Sequence, residues 1–209
     1  MFELCVITDR NLSNGLSEAE TALLAYRGGA DIVQLRMKDS DGKEMLEQAI
    51  KIRAVADDLE GIFIVNDRVD IALMSNADGV HLGQSDIPIE FARKVLGYEK
   101  IIGISAHSVK EAVEAERRGA DYVGVGSIFT TSTKQDAKQA QGLDLILEIG
   151  KKVSIPVIAI GGIDKTNVQD VIRAGADGVA VVSAVVSQKD VAAAAQELKE
   201  LIAKVRPNI

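Results

Sequence analysis

Short, continuously apolar runs alternate along the chain with longer segments of helical periodicity. Continuous apolarity over four or five residues indicates strands buried on both faces, which is typical of a parallel sheet covered by helices. The runs are Leu4–Thr8, Ile32–Leu35, Ile62–Val65, Gly79–Leu82, Ile101–Ile104, Tyr122–Val125, Val157–Ile160 and Gly178–Val182.

The segments between these runs carry helix signals. Ser17-Glu-Ala-Glu20 has the spacing of a capping box, and apolar residues in Gly42–Asp57 recur near a period of 3.6. Helices are predicted at Ser17–Arg27, Gly42–Asp57, Val69–Ser75, Ile89–Leu96, Ser108–Arg118, Leu143–Lys152, Lys165–Ala174 and Asp190–Val205. Eight strands, each followed by a helix, predict a single α/β domain over residues 1–209, a (β/α)8 barrel.

A repeated turn supports this fold. Gly-Ala-Asp, or Asn-Ala-Asp in one copy, precedes the second, fourth, sixth and eighth runs. These turns lie at the amino ends of strands, the face of a barrel that serves stability, so we interpret their acids as structural. The acids are Asp31, Asp78, Asp121 and Asp177. A doubly wound open sheet is the alternative, but the repeat continues to the last strand and no G-x-G-x-x-G follows the first.

Composition narrows the choice of partners. The chain has 209 residues and a net charge of -7, which argues against nucleic acid or an anionic membrane and favours small-molecule partners. No apolar run reaches the ~18 residues of a membrane span, and the N-terminus lacks a basic signal segment, so we expect a cytoplasmic protein. Cys5 lies in an apolar run and is predicted to be a core thiol. The sequence does not determine the oligomeric state, and a homo-oligomer is one possibility.

Polar side chains gather where the predicted strands end. Arg36, Lys38 and Lys134 place three cations at one mouth of an acidic protein, which predicts a polyanionic ligand. Asp67 and Asp86 follow adjacent strands, and a pair of carboxylates that leaves positions open for phosphates is typical of Mg2+. The alternative is that both acids simply pair with Arg36 and Lys38.

A second anion site is predicted at the last two strands. Gly161-Gly162 and Val182-Ser183 stand where barrels often bind phosphate through backbone N–H groups, although a plain turn is the alternative. A mouth with a diphosphate half and a monophosphate half needs two substrates. We interpret His81 as a hydrogen-bonded wall residue, while His107 contacts a ligand or only closes its loop.

Taken together and in order, these segments resemble the thiamine-phosphate synthases over essentially the whole chain. The matching segments are Gln34–Lys38, Asn66-Asp67, His81–Asp86, Gly103–Ser105, Gly126–Lys134, Gly161–Ile163 and Val182-Ser183. The resemblance implies a barrel enzyme that joins an aminopyrimidine-methyl diphosphate to a thiazole phosphate, with Mg2+ required and dissociative loss of diphosphate.

The resemblance also implies residue roles. The pyrimidine diphosphate would be held by Gln34, Leu35, Arg36, Met37, Lys38, Asn66, Ser105 and Lys134. Of these, Arg36, Lys38, Ser105 and Lys134 would be catalytic, and Asp67 and Asp86 would bind Mg2+. The thiazole phosphate would be held by Thr131, Ser132, Thr133, Gly162, Val182 and Ser183.

The chain departs from the family pattern where Ser127 replaces a usual proline and near Ala140-Gln141, which is often proline-rich. Loss of proline affects loop stiffness but removes no ligand group. A thiazole tautomerase of the same fold is one alternative, but those relatives tend to lose the Thr-x-Thr-Lys segment and the carboxylates present here. A non-catalytic barrel that binds a phosphate ligand is another alternative, and it would need a missing metal or cation contact.

Overall fold

Eight parallel strands close into a barrel in the computed structural model, which describes residues 2–131 and 140–206. Each strand pairs with the next in sequence, and β8 pairs with β1 through registers such as Val6 with Val181. The strands are β1 Leu4–Ile7, β2 Ile32–Leu35, β3 Ile62–Asn66, β4 Gly79–Leu82, β5 Ile101–Ala106, β6 Tyr122–Val125, β7 Val157–Ile160 and β8 Gly178–Val181. The predicted (β/α)8 fold is confirmed, and the open sheet is excluded.

Helices follow every strand. They are α1 Glu18–Arg27, α2 Gly42–Asp58, α3 Val69–Met74, α4 Ile89–Leu96, α5 Val109–Arg117, α6 Asp144–Gly150, α7 Val168–Arg173, α8 Ser183–Val186 and α9 Val191–Ala203. The capping box before α1 is present, because the Ser17 side chain accepts from Glu20 N and the Glu20 carboxylate accepts from Ser17 N. Across the described ranges, no helix combines the length and apolarity that a membrane span needs.

The short helix α8 was not predicted from the sequence. Apart from Ser183, its residues continue the apolar run of β8, and four residues are too few to show a helical period. The backbone turns at Val182, with φ -117° and ψ -86°, and only the later helix α9 shows a helical period of its own.

Alternation along the strands divides the core into two layers. One set of side chains packs between the barrel and the helices, including Leu35, Phe63 and Leu82. The other fills the barrel interior and comprises Cys5, Ile7, Ile32, Ile64, Tyr122, Ile158 and Ala180. Cys5 is a core thiol as predicted, and burial raises its pKa to about 12. Because the side-chain period is two, residues beyond this interior layer on the same strand faces point into the mouth.

The four repeated aspartates each accept a backbone N–H from the start of another strand. Asp31 Oδ2 accepts from Leu4 N at 2.9 Å, Asp78 Oδ2 from Phe63 N at 2.7 Å, and Asp121 Oδ2 from Ile102 N at 2.7 Å. Asp177 Oδ2 accepts from Val157 N at 2.8 Å. The structural interpretation of the repeat is therefore confirmed: each acid satisfies a strand donor at the amino-terminal end of the barrel.

Candidate active site

A cavity of about 1000 Å³ opens above the interior layer at the carboxyl ends of the strands. Most of the side chains predicted for ligand binding line it together, although they come from loops far apart in sequence. They are Gln34, Arg36, Lys38, Asn66, Asp67, Asp86, Ser105, Thr131, Gly162, Val182 and Ser183. The barrel thus brings the predicted diphosphate, metal and monophosphate groups into one space.

Some predicted residues lie elsewhere. Leu35 and Met37 are buried in the layer between barrel and helices, because they alternate with the inward-facing Gln34 and Arg36. Their side chains therefore do not reach the cavity, which leaves only their backbone to contact a ligand. The predicted roles of Ser132, Thr133 and Lys134 fall outside the described residues.

Asp67 and Asp86 form a carboxylate pair at one side of the cavity. The Asp67 backbone has φ 62° and its N–H donates to His81 O at 2.8 Å, while Asp86 Oδ2 accepts from Gly83 N at 2.6 Å. Burial, followed by the hydrogen bond and charge of Asp86, raises the pKa of Asp67 to about 6 against the opposing effect of Lys38. Burial disfavours the charged form of Asp67 and the neighbouring Asp86 carboxylate repels it, so the ionised pair is costly until a cation arrives.

The cations beside this pair have separate partners. Lys38 Nζ lies 3.9 Å from Asp67 Oδ2, and Arg36 Nη1 lies 3.4 Å from Asp9 Oδ2. The Arg36 backbone N–H donates to Thr8 Oγ1 at 3.1 Å, which anchors the start of the loop after β2. An ion pair between Lys38 and Asp67 is therefore present, as the salt-bridge alternative expects, whereas Arg36 pairs with Asp9 and not with Asp67 or Asp86.

The carboxylate pair fits a divalent cation that keeps several of its own ligands. The described ranges contain no group of three or more His, Cys, Asp or Glu side chains suited to enclosing a metal. Two carboxylates with open positions suit Mg2+, which commonly retains waters and takes substrate phosphates. The raised pKa of Asp67 supports that fit, since a cation would offset the repulsion between the acids.

The glycines after β7 belong to the predicted monophosphate site and line the same cavity. Gly161 and Gly162 have φ 102° and φ 65°, values that favour glycine. A Cβ on Gly162 would lie 2.6 Å from Thr130 O and 2.8 Å from Phe129 Cβ. The pair therefore lets the loop after β6 pack against the loop after β7, where Phe129 N donates to Gly161 O at 3.0 Å. Sequence reasoning gave these glycines a different purpose, namely clearing space for phosphate.

Val182 and Ser183 form the turn from β8 into α8. Ser183 O accepts from Ser187 Oγ at 2.6 Å and from Gln188 Nε2 at 3.1 Å, which fixes the short helix against the following loop. Ser183 is exposed and lines the cavity, as do Gly161 and Gly162. The two segments predicted to bind the monophosphate thus line the same cavity.

Both histidines line the cavity and are hydrogen-bonded. His81 Nδ1 lies 2.8 Å from Tyr122 Oη and His81 Nε2 lies 3.0 Å from Ser105 Oγ, which confirms its interpretation as a bonded wall residue. His107 Nδ1 contacts Gly126 O, so it closes the loop while also facing the cavity. Sequence reasoning missed Tyr122, although it shares the alternation of Gly124 and Gly126, which both line the cavity.

The fold and this cavity define a (β/α)8 protein whose barrel mouth is lined by the cations Arg36 and Lys38 and the carboxylates Asp67 and Asp86. Residues 4–185 match the family model described as thiamine monophosphate synthase. The chain is 52% identical to the thiamine-phosphate synthase of Methanocella arvoryzae, over 98% of this chain and 97% of that one. It is 50% identical to that of Chloroflexus aurantiacus, over 96% and 93%.

The same family appears among solved structures. The thiamine phosphate pyrophosphorylase of Pyrococcus furiosus superposes with a TM-score of 0.91 at 44% identity, covering 98% of this chain and 96% of that one. The chain therefore belongs to the thiamine monophosphate synthase family.

Proposed function

We propose that this protein is a thiamine-phosphate synthase. It joins 4-amino-2-methyl-5-hydroxymethylpyrimidine diphosphate to 4-methyl-5-(2-hydroxyethyl)thiazole phosphate and releases diphosphate. The observation that carries the proposal is the single cavity in which Arg36 and Lys38 stand beside the Asp67–Asp86 pair, with Gly162 and Ser183 on the same lining. Such a cavity offers one set of groups for a diphosphate and another set for a monophosphate.

In the proposed reaction, the bond between the pyrimidine methylene carbon and the diphosphate oxygen breaks first. Its electron pair leaves with diphosphate, and a cation remains on the pyrimidine-methyl group. Arg36 and Lys38 stabilise the negative charge that grows on the departing group, which is stabilisation of the transition state rather than of bound substrate. Asp9 keeps the Arg36 guanidinium aimed at the mouth through its 3.4 Å contact. Lys134 is assigned the same role by the family resemblance.

Asp67 and Asp86 would hold Mg2+ in this proposal. The bound ion supplies further neutralisation of the diphosphate charge. The weak contact between Lys38 and Asp67 at 3.9 Å leaves both groups able to change partner when a metal–diphosphate arrives. Gln34, which is only 4% exposed and lines the cavity, would contact the pyrimidine together with Asn66 and Ser105.

The thiazole then needs only to be positioned. Its ring nitrogen attacks the methylene carbon with its lone pair, so a C–N bond forms and no side-chain nucleophile takes part. Holding the thiazole phosphate at Gly162, Val182, Ser183 and the Thr131–Thr133 segment would orient that nitrogen.

Cytoplasmic localisation remains a prediction from the sequence.

The proposal can be tested by titration calorimetry coupled to product analysis. Pyrimidine diphosphate should bind in the presence of Mg2+ and bind much more weakly when the metal is chelated. Addition of thiazole phosphate should then produce thiamine phosphate. Binding of both ligands without product would instead indicate a non-catalytic binding barrel, and isomerisation of a thiazole without use of the pyrimidine would indicate a tautomerase.

A further inference from the structure

A chain of three hydrogen-bonded side chains runs from the barrel interior to the cavity. Tyr122 Oη lies 2.8 Å from His81 Nδ1, and His81 Nε2 lies 3.0 Å from Ser105 Oγ. Tyr122 is 4% exposed and belongs to the interior layer, whereas Ser105 is only partly buried. The chain thus links a buried phenol to a hydroxyl that a ligand can reach.

Two glycines make room for the rings of this chain. A Cβ on Gly103 would lie 2.0 Å from the Tyr122 ring, and a Cβ on Gly124 would lie 2.8 Å from His81 Cε1. The two ring centroids are 5.4 Å apart. Because each ring fills a slot that any other residue would narrow, the ring orientations, and so the partners of both His81 nitrogens, are set by packing.

The phenol of Tyr122 determines which group donates and which accepts in each of these two hydrogen bonds. Burial raises the pKa of Tyr122 well above 10, so the hydroxyl keeps its proton. Within residues 2–131 and 140–206, His81 Nδ1 is the acceptor in hydrogen-bond contact with that hydroxyl. An unsatisfied buried donor is costly, so Tyr122 donates to Nδ1. A neutral imidazole that accepts at Nδ1 carries its proton on Nε2, and Nε2–H then donates to Ser105 Oγ.

We propose that Tyr122 and His81 are positioning residues that make Ser105 a hydrogen-bond donor to the bound ligand. Ser105 Oγ accepts from His81, which leaves the Ser105 hydroxyl proton directed to an acceptor in the cavity. The matching ligand atom is a hydrogen-bond acceptor, such as a ring nitrogen with a free lone pair or a diphosphate oxygen, and not an amino group. This inference rests on the proposed function only for the identity of that ligand.

The second histidine provides an internal contrast. His107 Nδ1 contacts Gly126 O, and a carbonyl oxygen can only accept, so His107 carries a proton on Nδ1. The chain contains two histidines. Their neutral forms are therefore expected to be opposite tautomers, with the proton on Nε2 in His81 and on Nδ1 in His107.

The tautomers can be read from side-chain nitrogen shifts by NMR of the ligand-free protein labelled with 15N, at mildly alkaline pH. The variant His107→Gln removes one of the two signals and assigns the other to His81. The expected result is a single Nε2–H tautomer for His81 and an Nδ1–H tautomer for His107. An Nδ1–H tautomer for His81 in the unaltered protein would overturn the inference, regardless of the kinetics of the variants.

Tyr122→Phe tests the consequence for the ligand, since phenylalanine keeps the ring but loses the donor. We expect His81 to lose its single tautomer and the KM for pyrimidine diphosphate to rise about three- to tenfold, the effect of one neutral hydrogen bond, with the KM for thiazole phosphate unchanged. An unchanged KM for pyrimidine diphosphate would overturn the donor role of Ser105. Absence of thiamine phosphate synthesis, with both tautomers as expected, would refute the proposed function and leave the hydrogen-bond chain standing.

Discussion

Lys38 Nζ lies 3.9 Å from Asp67 Oδ2, so a cation proposed for diphosphate touches a carboxylate proposed for Mg2+. The Lys38 side chain is 46% exposed, and an ion pair of this length and exposure contributes little stability. Asp67 is partly buried and lies against Asp86, and both effects raise its pKa. Bound metal and diphosphate would therefore lower the electrostatic energy of Lys38, Asp67 and Asp86 relative to the ligand-free arrangement.

Asp67→Asn should separate metal binding from folding. Asparagine tolerates the left-handed backbone at φ 62° and removes one of two crowded charges, so the variant should melt no lower than the unaltered protein. The Mg2+ concentration for half-maximal activity should rise at least about tenfold. The control is Asp70→Asn, which alters an exposed surface pair with Arg68 and should leave the Mg2+ dependence unchanged. Full activity of Asp67→Asn at low Mg2+ would remove Asp67 from the metal site.

The raised pKa of Asp67 predicts a pH dependence with a definite sign. Between its ordinary pKa of 3.8 and the value of about 6, the ligand-free folded state binds more protons than the unfolded chain. The contribution of Asp67 to stability is therefore favourable to folding at low pH and falls as pH rises through this window. Protons should compete with Mg2+ in the same range, so activity at limiting Mg2+ should fall below pH ~6 and recover with excess metal. A fall that excess Mg2+ does not reverse would contradict this.

Gly162→Ala should weaken thiazole phosphate binding through the loop after β6. The added Cβ would lie 2.6 Å from Thr130 O, so the Phe129–Thr131 segment must move. Strain of this kind predicts a rise of about tenfold to a hundredfold in the KM for thiazole phosphate, with that for pyrimidine diphosphate little changed. Gly175→Ala is the matched control, since Gly175 also has positive φ, 96°, but has no atom within 4 Å of the added carbon. An equal rise in the KM for thiazole phosphate in both variants would mean that backbone strain alone causes the change.

Asp31→Ala should destabilise the barrel without a specific effect on either substrate. It removes the acceptor for Glu3 N and Leu4 N and the partner of Lys199 at the amino-terminal end of the barrel. Leaving these donors without their acceptor should lower the free energy of unfolding by about 1–3 kcal/mol, measured by chemical denaturation. Asp58→Ala, an exposed acid at the end of α2, should change it by less than about 0.5 kcal/mol. A KM change in Asp31→Ala without loss of stability would argue against the structural role.

The barrel could be predicted from the sequence because each of its strands is a short, mainly apolar run set off by polar or glycine-containing turns. The role of the repeated aspartates also followed, since their position before strands is a property of local sequence. The helix α8 could not be predicted, because its four residues, three of them apolar like the strand before them, are too few to show a helical period.

Most residues of the site could be predicted from the sequence, but the contacts between them could not. Strand alternation would have excluded the side chains of Leu35 and Met37, which share the outward face of β2 and the loop after it. The pairing of Arg36 with Asp9, and the slots that Gly103 and Gly124 leave for Tyr122 and His81, depend on how neighbouring strands are staggered. That stagger is a tertiary property, and no single segment of sequence specifies it.

The central claim is that one cavity joins two phosphorylated substrates with release of diphosphate. The most direct measurement is the time course of products from purified protein, Mg2+ and both substrates, with thiamine phosphate and diphosphate quantified in the same samples. The account predicts equal amounts of the two products when all components are present, and no thiamine phosphate when the thiazole phosphate or the metal is withheld. Diphosphate released without an equal amount of thiamine phosphate, or no turnover with both substrates bound, would contradict it.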